Sequence, residues 1–211
     1  MSKRIAIIGA SVLGRTLVDH IADYSDLRAV GFFDDSVASS VDGLPVFGRM
    51  GEISSRYAAD EFDAVVMGIG YNHLQFRASL FTSLGNAGVP FETLIHPTAY
   101  VHRTASIGSG AILFPRCVID AKSSIGNNSL LNTGCIVAHD TSVGDGCFLG
   151  PGVTIAGFVT TEINCFIGAG TVIKDNISLS QGARTGAGAV VVSDVAADTL
   201  VVGVPARPVT A

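Results

Sequence analysis

Two neighbouring residues in this chain, His139 and Asp140, have the types and the spacing that proton-transfer chemistry needs. Histidine changes its charge near neutral pH, so an imidazole can take a proton from an attacking amine or hydroxyl group. A carboxylate beside the second ring nitrogen holds the tautomer and stabilises the imidazolium that forms. We therefore take His139 as the candidate general base and Asp140 as its candidate partner.

Cysteines offer a second kind of chemistry, but their spacing argues against a site. Cys117, Cys135, Cys147 and Cys165 are 18, 12 and 18 residues apart, and no Cys-x-x-Cys pair is present. Zinc sites built from cysteine normally use such close pairs. We expect four reduced cysteines that fill a core, no metal site and no thiol nucleophile.

The element that must position His139 is a six-residue repeat that runs from Ile95 to Val195. Steps of six from Ile95 give seventeen positions, of which fifteen are aliphatic. The positions four residues further on are nearly all small and include the four cysteines. Neither a helical period of 3.6 nor a strand period of two produces this pattern, so the repeat predicts a solenoid. We interpret it as a three-sided parallel β-helix with three six-residue units per coil.

Residues 18 apart lie above one another in such a coil, which places Ala121 and Gly157 on either side of His139. Two small neighbours leave the imidazole in an open slot. The glycines that directly follow an aliphatic position, such as Gly126 and Gly144, are expected to permit the turn dihedrals.

Outward side chains sort into three rows, two of them apolar, and contiguous apolar surface is uncommon on monomers. We therefore expect both apolar rows to pack against neighbouring subunits. The apolar rows are Ile112, Leu130, Phe148 and Phe166, and Val118, Ile136, Thr154, Val172 and Val190; the polar row is Ser106, Ser124, Ser142, Thr160 and Ser178.

Residues 1–94 have the pattern of a small α/β, Rossmann-like domain with a parallel sheet. The predicted strands are 3–9, 27–33, 63–67 and 89–94, with a short extended piece at 44–48, and the predicted helices are 10–22, 50–58 and 73–84. The loop from Gly9 to Gly14 partly matches a dinucleotide fingerprint. It is either a simple tight turn or a nucleotide or sugar-phosphate site at a helix N-terminus. The domain is about half the size of a full dinucleotide domain, which argues against an oxidoreductase.

The chain is acidic, with 13 Lys and Arg against 18 Asp and Glu and no basic run. This composition argues against nucleic acid or an anionic membrane surface as a partner. No segment approaches the roughly 18 apolar residues of a membrane span, and the N-terminus leads directly into a predicted strand. We expect no membrane span, no signal peptide and a cytoplasmic protein.

Taken together, the two halves resemble the hexapeptide-repeat sugar O-/N-acyltransferases, of the sialic acid O-acetyltransferase and UDP-4-amino-sugar N-acetyltransferase type. The segments that carry the resemblance are Gly9-Ala10-Ser11, Phe33-Asp34-Asp35, Gly68-Ile69-Gly70-Tyr71-Asn72, Ile95-His96-Pro97-Thr98-Ala99, Asn132-Thr133 through His139-Asp140, and Val202-Gly203-Val204-Pro205-Ala206. The resemblance implies residues 1–94 as a nucleotide-sugar-binding domain and residues 95–211 as a left-handed β-helix acyltransferase domain with a C-terminal tail. It also implies a homotrimer and acetyl-CoA as co-substrate.

The same resemblance assigns roles to individual positions. It places Ser11, Asp34, Asp35, Gly70 and Asn132 at the nucleotide-sugar substrate. It places acetyl-CoA beside four further positions, which are Phe148, Gly157, Ala169 and Ala187. Two departures affect these assignments, because Leu13 and Phe148 stand where the family usually has histidine.

The leading interpretation is transfer of an acetyl group to the amine of a nucleotide-linked amino sugar, by direct attack with His139 as general base. Transfer to a sugar hydroxyl is the first alternative. Acetylation of serine or of a small xenobiotic on the same solenoid is a second, and a non-catalytic β-helix scaffold is a third.

Overall fold

The computed structural model describes residues 2–37 and 39–209, and the chain divides into two compact units, Met1–Thr93 and Leu94–Ala211. The first unit holds one five-stranded sheet with the strand order β3-β4-β2-β1-β5. Its strands are β1 (Lys3–Ile8), β2 (Leu27–Phe33), β3 (Ser40–Val41), β4 (Leu44–Gly48) and β5 (Ala64–Met67). Its helices are α1 (Val12–Ile21), α2 (Ile53–Ala58) and α3 (Leu74–Asn86), with 3-10 turns at Met50–Glu52 and Tyr71–His73.

Strand β1 is the buried strand that the sequence predicts. Ile5, Ala6, Ile7 and Ile8 are fully buried, as the uninterrupted apolar run of a parallel strand covered on both faces requires. It pairs in parallel with β2 on one side and β5 on the other. The carboxyl ends of these strands therefore meet at one edge of the sheet, where the loops that follow them carry the candidate substrate residues.

Two parts of the sheet differ from the predicted strands. Within the predicted strand 89–94, residues 89–93 pair with the sheet of the first unit by an isolated parallel bridge between Phe91 and Val65, because Pro90 has no N–H with which to extend the ladder, and Leu94 belongs to the second unit. The hairpin of β3 and β4, which the sequence analysis did not predict, closes on Asp42 and Gly43, both at positive φ. Positive φ at both turn residues is typical of a two-residue hairpin loop.

The second unit is the predicted three-sided parallel β-helix. Within the described residues, its repeat contains seventeen two-residue strands from β6 to β22, each beginning six residues after the one before. These strands are β6 (Leu94–Ile95), β7 (Tyr100–Val101), β8 (Ser106–Ile107), β9 (Ile112–Leu113), β10 (Val118–Ile119), β11 (Ser124–Ile125), β12 (Leu130–Leu131), β13 (Ile136–Val137), β14 (Ser142–Val143), β15 (Phe148–Leu149), β16 (Thr154–Ile155), β17 (Thr160–Thr161), β18 (Phe166–Ile167), β19 (Val172–Ile173), β20 (Ser178–Leu179), β21 (Arg184–Thr185) and β22 (Val190–Val191).

Every third strand pairs in parallel with the next, which gives three sheets with a vertical repeat of 18 residues. After β22 the repeat ends, and β23 (Leu200–Val202) pairs in parallel with β21. The last strand, β24 (Arg207–Pro208), turns back antiparallel on β23. The sequence period therefore translates directly into strand register.

Small polar side chains on the inner face are paired with the coil above. The Cys117 thiol lies 3.2 Å from the Asn132 carbonyl oxygen, and the Ser129 hydroxyl donates to the Gly144 carbonyl oxygen at 2.9 Å. Buried donors need such acceptors, so Cys, Ser and Thr are accepted in an otherwise aliphatic interior. All four cysteines are free and buried, as predicted.

The expected role of the repeat glycines is wrong. From Gly110 to Gly188, left-handed residues stand three positions after the inward residue of each repeat, as at Arg116 (φ 61°), and not directly after it. The directly following glycines are needed for close stacking: a Cβ on Gly126 would lie 2.5 Å from the backbone nitrogen of Asp145 in the next coil. Glycine removes a clash between coils there.

One of the two predicted apolar outer rows is largely covered within the chain. Ile112, Leu130 and Phe148 are at most 8% exposed, so the expectation that they pack against a neighbouring subunit is wrong, whereas Phe166 in the same row is half-buried. In the other row Ile136 and Val172 are exposed, at 41% and 43%. Among the described residues, no helix has the length and apolar character needed to cross a membrane.

Candidate active site

His139 lies at a corner of the β-helix, two residues after the inward side chain of Val137 at the end of β13. Its Nδ1 atom is 3.0 Å from the Asp140 carboxylate oxygen Oδ2, and 52% of the His139 side chain is exposed. Its Nε2 atom makes no hydrogen bond to any residue that the structure describes. The pair therefore has the geometry of an oriented imidazole with one ring nitrogen available to a ligand.

Asp140 reaches its neighbour because its backbone is left-handed, with φ of 55°. Aspartate is one of the few residues with a side chain that adopts this conformation readily. The turn brings a carboxylate back beside the preceding residue, while the Asp140 N–H donates to the Ala121 carbonyl oxygen of the previous coil at 3.0 Å. The corner that positions the base thus also supplies its partner.

Gly157 lies directly against the imidazole, as its position 18 residues after His139 predicts. A Cβ on Gly157 would be 2.8 Å from Cε1 and 3.0 Å from Nε2 of His139. Only glycine leaves the ring this space. The Gly157 N–H donates no hydrogen bond within the described part of the chain, although the next amide, that of Phe158, donates to the His139 carbonyl oxygen.

Phe158 is a neighbour of His139 that the sequence analysis missed. The two ring centroids are 5.3 Å apart and the rings stand at 85° to each other. The phenyl ring is 56% exposed, and Phe158 has a left-handed backbone with φ of 58°. A large apolar residue at a corner position that elsewhere holds glycine or a polar residue was the signal that could have identified it.

The side chains of two other predicted site residues of the β-helix make contacts within the fold. Asn132 donates from its side-chain nitrogen to the Leu149 carbonyl oxygen at 3.0 Å. Phe148 is 8% exposed and stacks on Phe166 with the ring centroids 5.7 Å apart. Both therefore stabilise the coil stack, and their assignments to substrate and acetyl-CoA remain predictions.

Ala169 and Ala187 are exposed and lie 18 residues apart on another edge of the β-helix. Each precedes a left-handed glycine, Gly170 with φ of 65° and Gly188 with φ of 68°. Alanine and glycine side by side on successive coils make a smooth ledge on which a thin ligand can lie against backbone.

In the N-terminal unit, the glycine loop is built by close backbone packing. Gly9 follows β1 at φ of 96°, and a Cβ on Gly14 would lie 1.9 Å from the Gly9 carbonyl oxygen. A Cβ on Gly68, after β5, would lie 2.9 Å from the Gly14 Cα atom. The three glycines therefore bring two loops and the first turn of α1 into contact.

Ser11 and Asp34 differ in how far they are available to a ligand. Ser11 is the N-cap residue that precedes α1, is exposed, and makes no capping hydrogen bond with its side chain. Asp34 accepts from the Ala10 N–H at 2.8 Å with one oxygen, and from the N–H groups of Ser36 and Val37 with the other. Asp34 thus ties the loop after β2 to the loop after β1.

Asp35 and Gly70 complete the predicted substrate residues. Asp35 is exposed, and one of its oxygens accepts from the Met50 N–H at 3.0 Å. A Cβ on Gly70 would meet no atom within 4 Å, so open space lies beside it. The preceding carbonyl group, that of Ile69, accepts from the buried guanidinium of Arg77, and burial lowers the pKa of Arg77 to about 10.

Comparison with known proteins places both units. Residues 4–84 match the model of the PglD N-terminal domain, and residues 122–157, which include His139, match the model of the bacterial transferase hexapeptide, six repeats. No curated protein sequence matches the chain significantly.

Solved structures resemble the chain over almost its whole length. The acetyltransferase domain of PglB from Neisseria gonorrhoeae FA1090, in complex with acetyl coenzyme A, is 27% identical with a TM-score of 0.91 and covers 99% of this chain and 100% of that one. A mutant of GDP-perosamine N-acetyl transferase from Caulobacter crescentus, in complex with CoA and GDP-perosamine, is 26% identical with a TM-score of 0.92, covering 98% and 97%. WeeI from Acinetobacter baumannii AYE is 29% identical with a TM-score of 0.85, covering 97% and 99%.

An α/β domain followed by a left-handed parallel β-helix with a histidine on its corner defines the hexapeptide-repeat class of transferase, and the predicted fold class is confirmed. Within that class, residues 4–84 match the PglD-type N-terminal domain, and the chain is similar over almost its whole length to sugar N-acetyltransferases, as its motifs indicate.

Proposed function

We propose that this protein transfers the acetyl group of acetyl-CoA to the amine of a nucleotide-linked amino sugar, with His139 as general base. The observation that carries the proposal is the half-exposed imidazole of His139, oriented by Asp140 at 3.0 Å and seated against Gly157. The similar PglB domain binds acetyl coenzyme A, and the similar Caulobacter enzyme binds CoA and GDP-perosamine.

The reaction proceeds by direct attack in a ternary complex. The sugar amine attacks the thioester carbonyl carbon, a C–N bond forms, and the amine proton passes to Nε2 of His139. The C–S bond then breaks, and His139 returns the proton to the departing CoA sulfur. A covalent acetyl-cysteine route is disfavoured because all four thiols are buried in the coil interior.

Asp140 and Gly157 supply the remaining chemistry of the step. Asp140 accepts the Nδ1 proton of His139, which leaves Nε2 as the basic nitrogen and stabilises the imidazolium. The Gly157 N–H is the candidate donor to the developing oxyanion, because it makes no hydrogen bond within the described chain and lies beside the imidazole.

The remaining assignments of acetyl-CoA and the nucleotide-sugar belong to this proposal. The ledge at Ala169 and Ala187 fits a narrow pantetheine arm because these residues and the glycines that follow them have side chains no larger than a methyl group. The exposed start of α1 at Ser11 presents backbone N–H groups to a diphosphate. The open space beside Gly70 and the carboxylate of Asp35 are available to the base or the sugar.

A homotrimer and a cytoplasmic location are also part of the proposal. The exposed row that includes Ile136 and Val172 is an apolar sheet face, and its stacked strands would be covered by a neighbouring subunit.

The test is release of free thiol from acetyl-CoA with a panel of UDP-, dTDP- and GDP-linked amino sugars. His139→Ala should lower kcat by about 10²–10⁴ without lowering Tm, since removal of a general base costs that much. His102→Ala, at another corner of the β-helix, is the matched control and should keep wild-type turnover. Wild-type kcat in His139→Ala would refute the base assignment. Acetylation of a nucleotide-linked 4-hydroxy sugar in preference to the corresponding 4-amino sugar would establish O-transfer instead.

A further inference from the structure

Phe158 combines a strained backbone with an exposed aromatic side chain, and nothing in the coil fold requires either. Its φ of 58° lies in the left-handed region, which is unfavourable for bulky residues. The side chain is 56% exposed, so burial of the ring does not offset the strain.

Other corners of the β-helix show that this position does not need an aromatic residue. Where the described chain has a left-handed residue with a side chain on the coils, the other residue types are polar: Arg116, Lys122, Asn128, Asp140, Asn164, Asn176 and Asp198. In the same vertical column as Phe158, the residues one coil before and one coil after are Asp140 and Asn176. Asparagine would therefore satisfy the backbone at 158.

What distinguishes this corner is the imidazole beside it. The His139 and Phe158 ring centroids are 5.3 Å apart at 85°, a favourable edge-to-face geometry. His139 already has Asp140 at Nδ1 and Gly157 against its ring, and Phe158 adds a third contact. With these three contacts, few rotamers of the imidazole remain available.

We infer that Phe158 is a positioning residue for the transfer reaction, which holds the His139 ring with Nε2 turned toward the attacking amine. The inference rests on the proposed function of His139 as general base. It predicts that loss of the ring affects kcat, because only the reactive orientation of the base is changed, and leaves the binding of both substrates intact.

The test compares Phe158→Asn and Phe158→Tyr with wild type in the thiol-release assay. Phe158→Asn should keep or raise Tm, because asparagine tolerates the left-handed backbone, and should lower kcat about fivefold to tenfold, the range of one aromatic contact. KM for acetyl-CoA and for the sugar should change less than about twofold, and Phe158→Tyr should retain wild-type kcat. Arg116→Asn, at a left-handed corner in a different column, is the control and should leave kcat unchanged.

A second background shows whether Phe158 acts through His139. In His139→Ala protein, Phe158→Asn should cause no further loss of residual turnover. Unchanged kcat in Phe158→Asn, a change confined to KM, or an equal loss in both backgrounds would each overturn the inference while leaving the general base in place. Wild-type kcat in His139→Ala would instead remove the proposed function on which it rests.

Discussion

At the His139 corner of the β-helix the chemistry resides in side chains, whereas at the glycine loop of the N-terminal unit the surface offered to a ligand is mainly backbone. The side chains of His139 and Asp140 could be truncated without disturbing the stacked coils, because both project outward from a corner. Gly14 and Gly68 have no side chain to delete, and their packing leaves no room for one. Truncation should therefore damage the first region, and addition of a methyl group should damage the second.

The largest effect that tests this contrast is expected from Gly14→Ala. The new Cβ would lie 1.9 Å from the Gly9 carbonyl oxygen, a backbone atom that cannot swing away. We expect the free energy of unfolding of the N-terminal unit to fall by about 3 kcal/mol or more, as overpacking against backbone does. Thermal denaturation followed by circular dichroism measures it.

Gly85→Ala is the matched control, since a Cβ on Gly85 in α3 meets nothing within 4 Å. It should raise stability by about 0.5–1 kcal/mol, the usual gain for alanine over glycine within a helix. Equal Tm values for the two variants would contradict the packing described for the loop.

The next largest effect is expected from Gly157→Ala. This variant tests the contrast because it adds a methyl group at the His139 corner, where the chemistry resides in side chains. All three nearest atoms to the new Cβ belong to the His139 ring, so the imidazole must move. We expect kcat to fall about 100-fold, as misplacement of a base by about 1 Å does, with little change in KM.

A double-mutant comparison isolates the cause. In His139→Ala protein the ring is gone, so Gly157→Ala should change neither Tm nor residual turnover. A similar loss of activity in that background would show that Gly157 acts through its own N–H or through acetyl-CoA binding.

A smaller effect is expected from Asp34→Ala, because the Asp34 carboxylate ties the loop after β2 to the loop after β1. Loss of the carboxylate leaves the N–H groups of Ala10, Ser36 and Val37 without their hydrogen-bond acceptor. We expect a stability loss of about 1–3 kcal/mol and a raised KM for the nucleotide sugar. Asp35→Ala removes the acceptor of the Met50 N–H group and should therefore cost less stability. A larger stability loss in Asp35→Ala than in Asp34→Ala would show that Asp35, and not Asp34, is the main carboxylate that holds these loops.

The smallest effect is expected at the cysteines. The contact with Cys117 and burial raise the pKa of the Cys135 thiol, and the contact with Cys147 and burial do the same for Cys165. Ellman's reagent should modify none of the four thiols in the native protein and all four after unfolding, because burial in the coil interior keeps the reagent from all four. Rapid labelling of a native thiol with loss of activity would reopen the covalent route.

Sequence reasoning succeeded where a side chain's position follows from counting. The six-residue period predicted the strands from β6 to β22 and the contact of Gly157 with His139, because a coil of fixed length stacks residue i on residue i+18. Sequence reasoning failed where the same residue pattern is compatible with several backbone conformations. The glycines after the inward aliphatics were assigned to turns, although the structure uses them for close stacking between coils.

In the N-terminal unit the sequence predicted β1, α1 and β2 closely but missed β3, which the Asp42-Gly43 pair could have indicated. The sequence also assigned Asp34 to the nucleotide-sugar substrate, which stays a prediction, while the structure shows its carboxylate accepting from the N–H groups of Ala10, Ser36 and Val37. A carboxylate after a strand has the same pattern in either role, and only the loops that surround it decide which N–H groups it receives.

By itself, the sequence determined the β-helix, its register, the corner that carries His139 and the buried state of the cysteines, since all of these depend on local spacing repeated without a break. Only the tertiary structure decided that Phe158 lies edge-on to the imidazole and that the row from Ile112 to Phe148 is covered within the chain. Those facts depend on side-chain direction and on contacts between residues far apart in sequence, which no periodicity encodes.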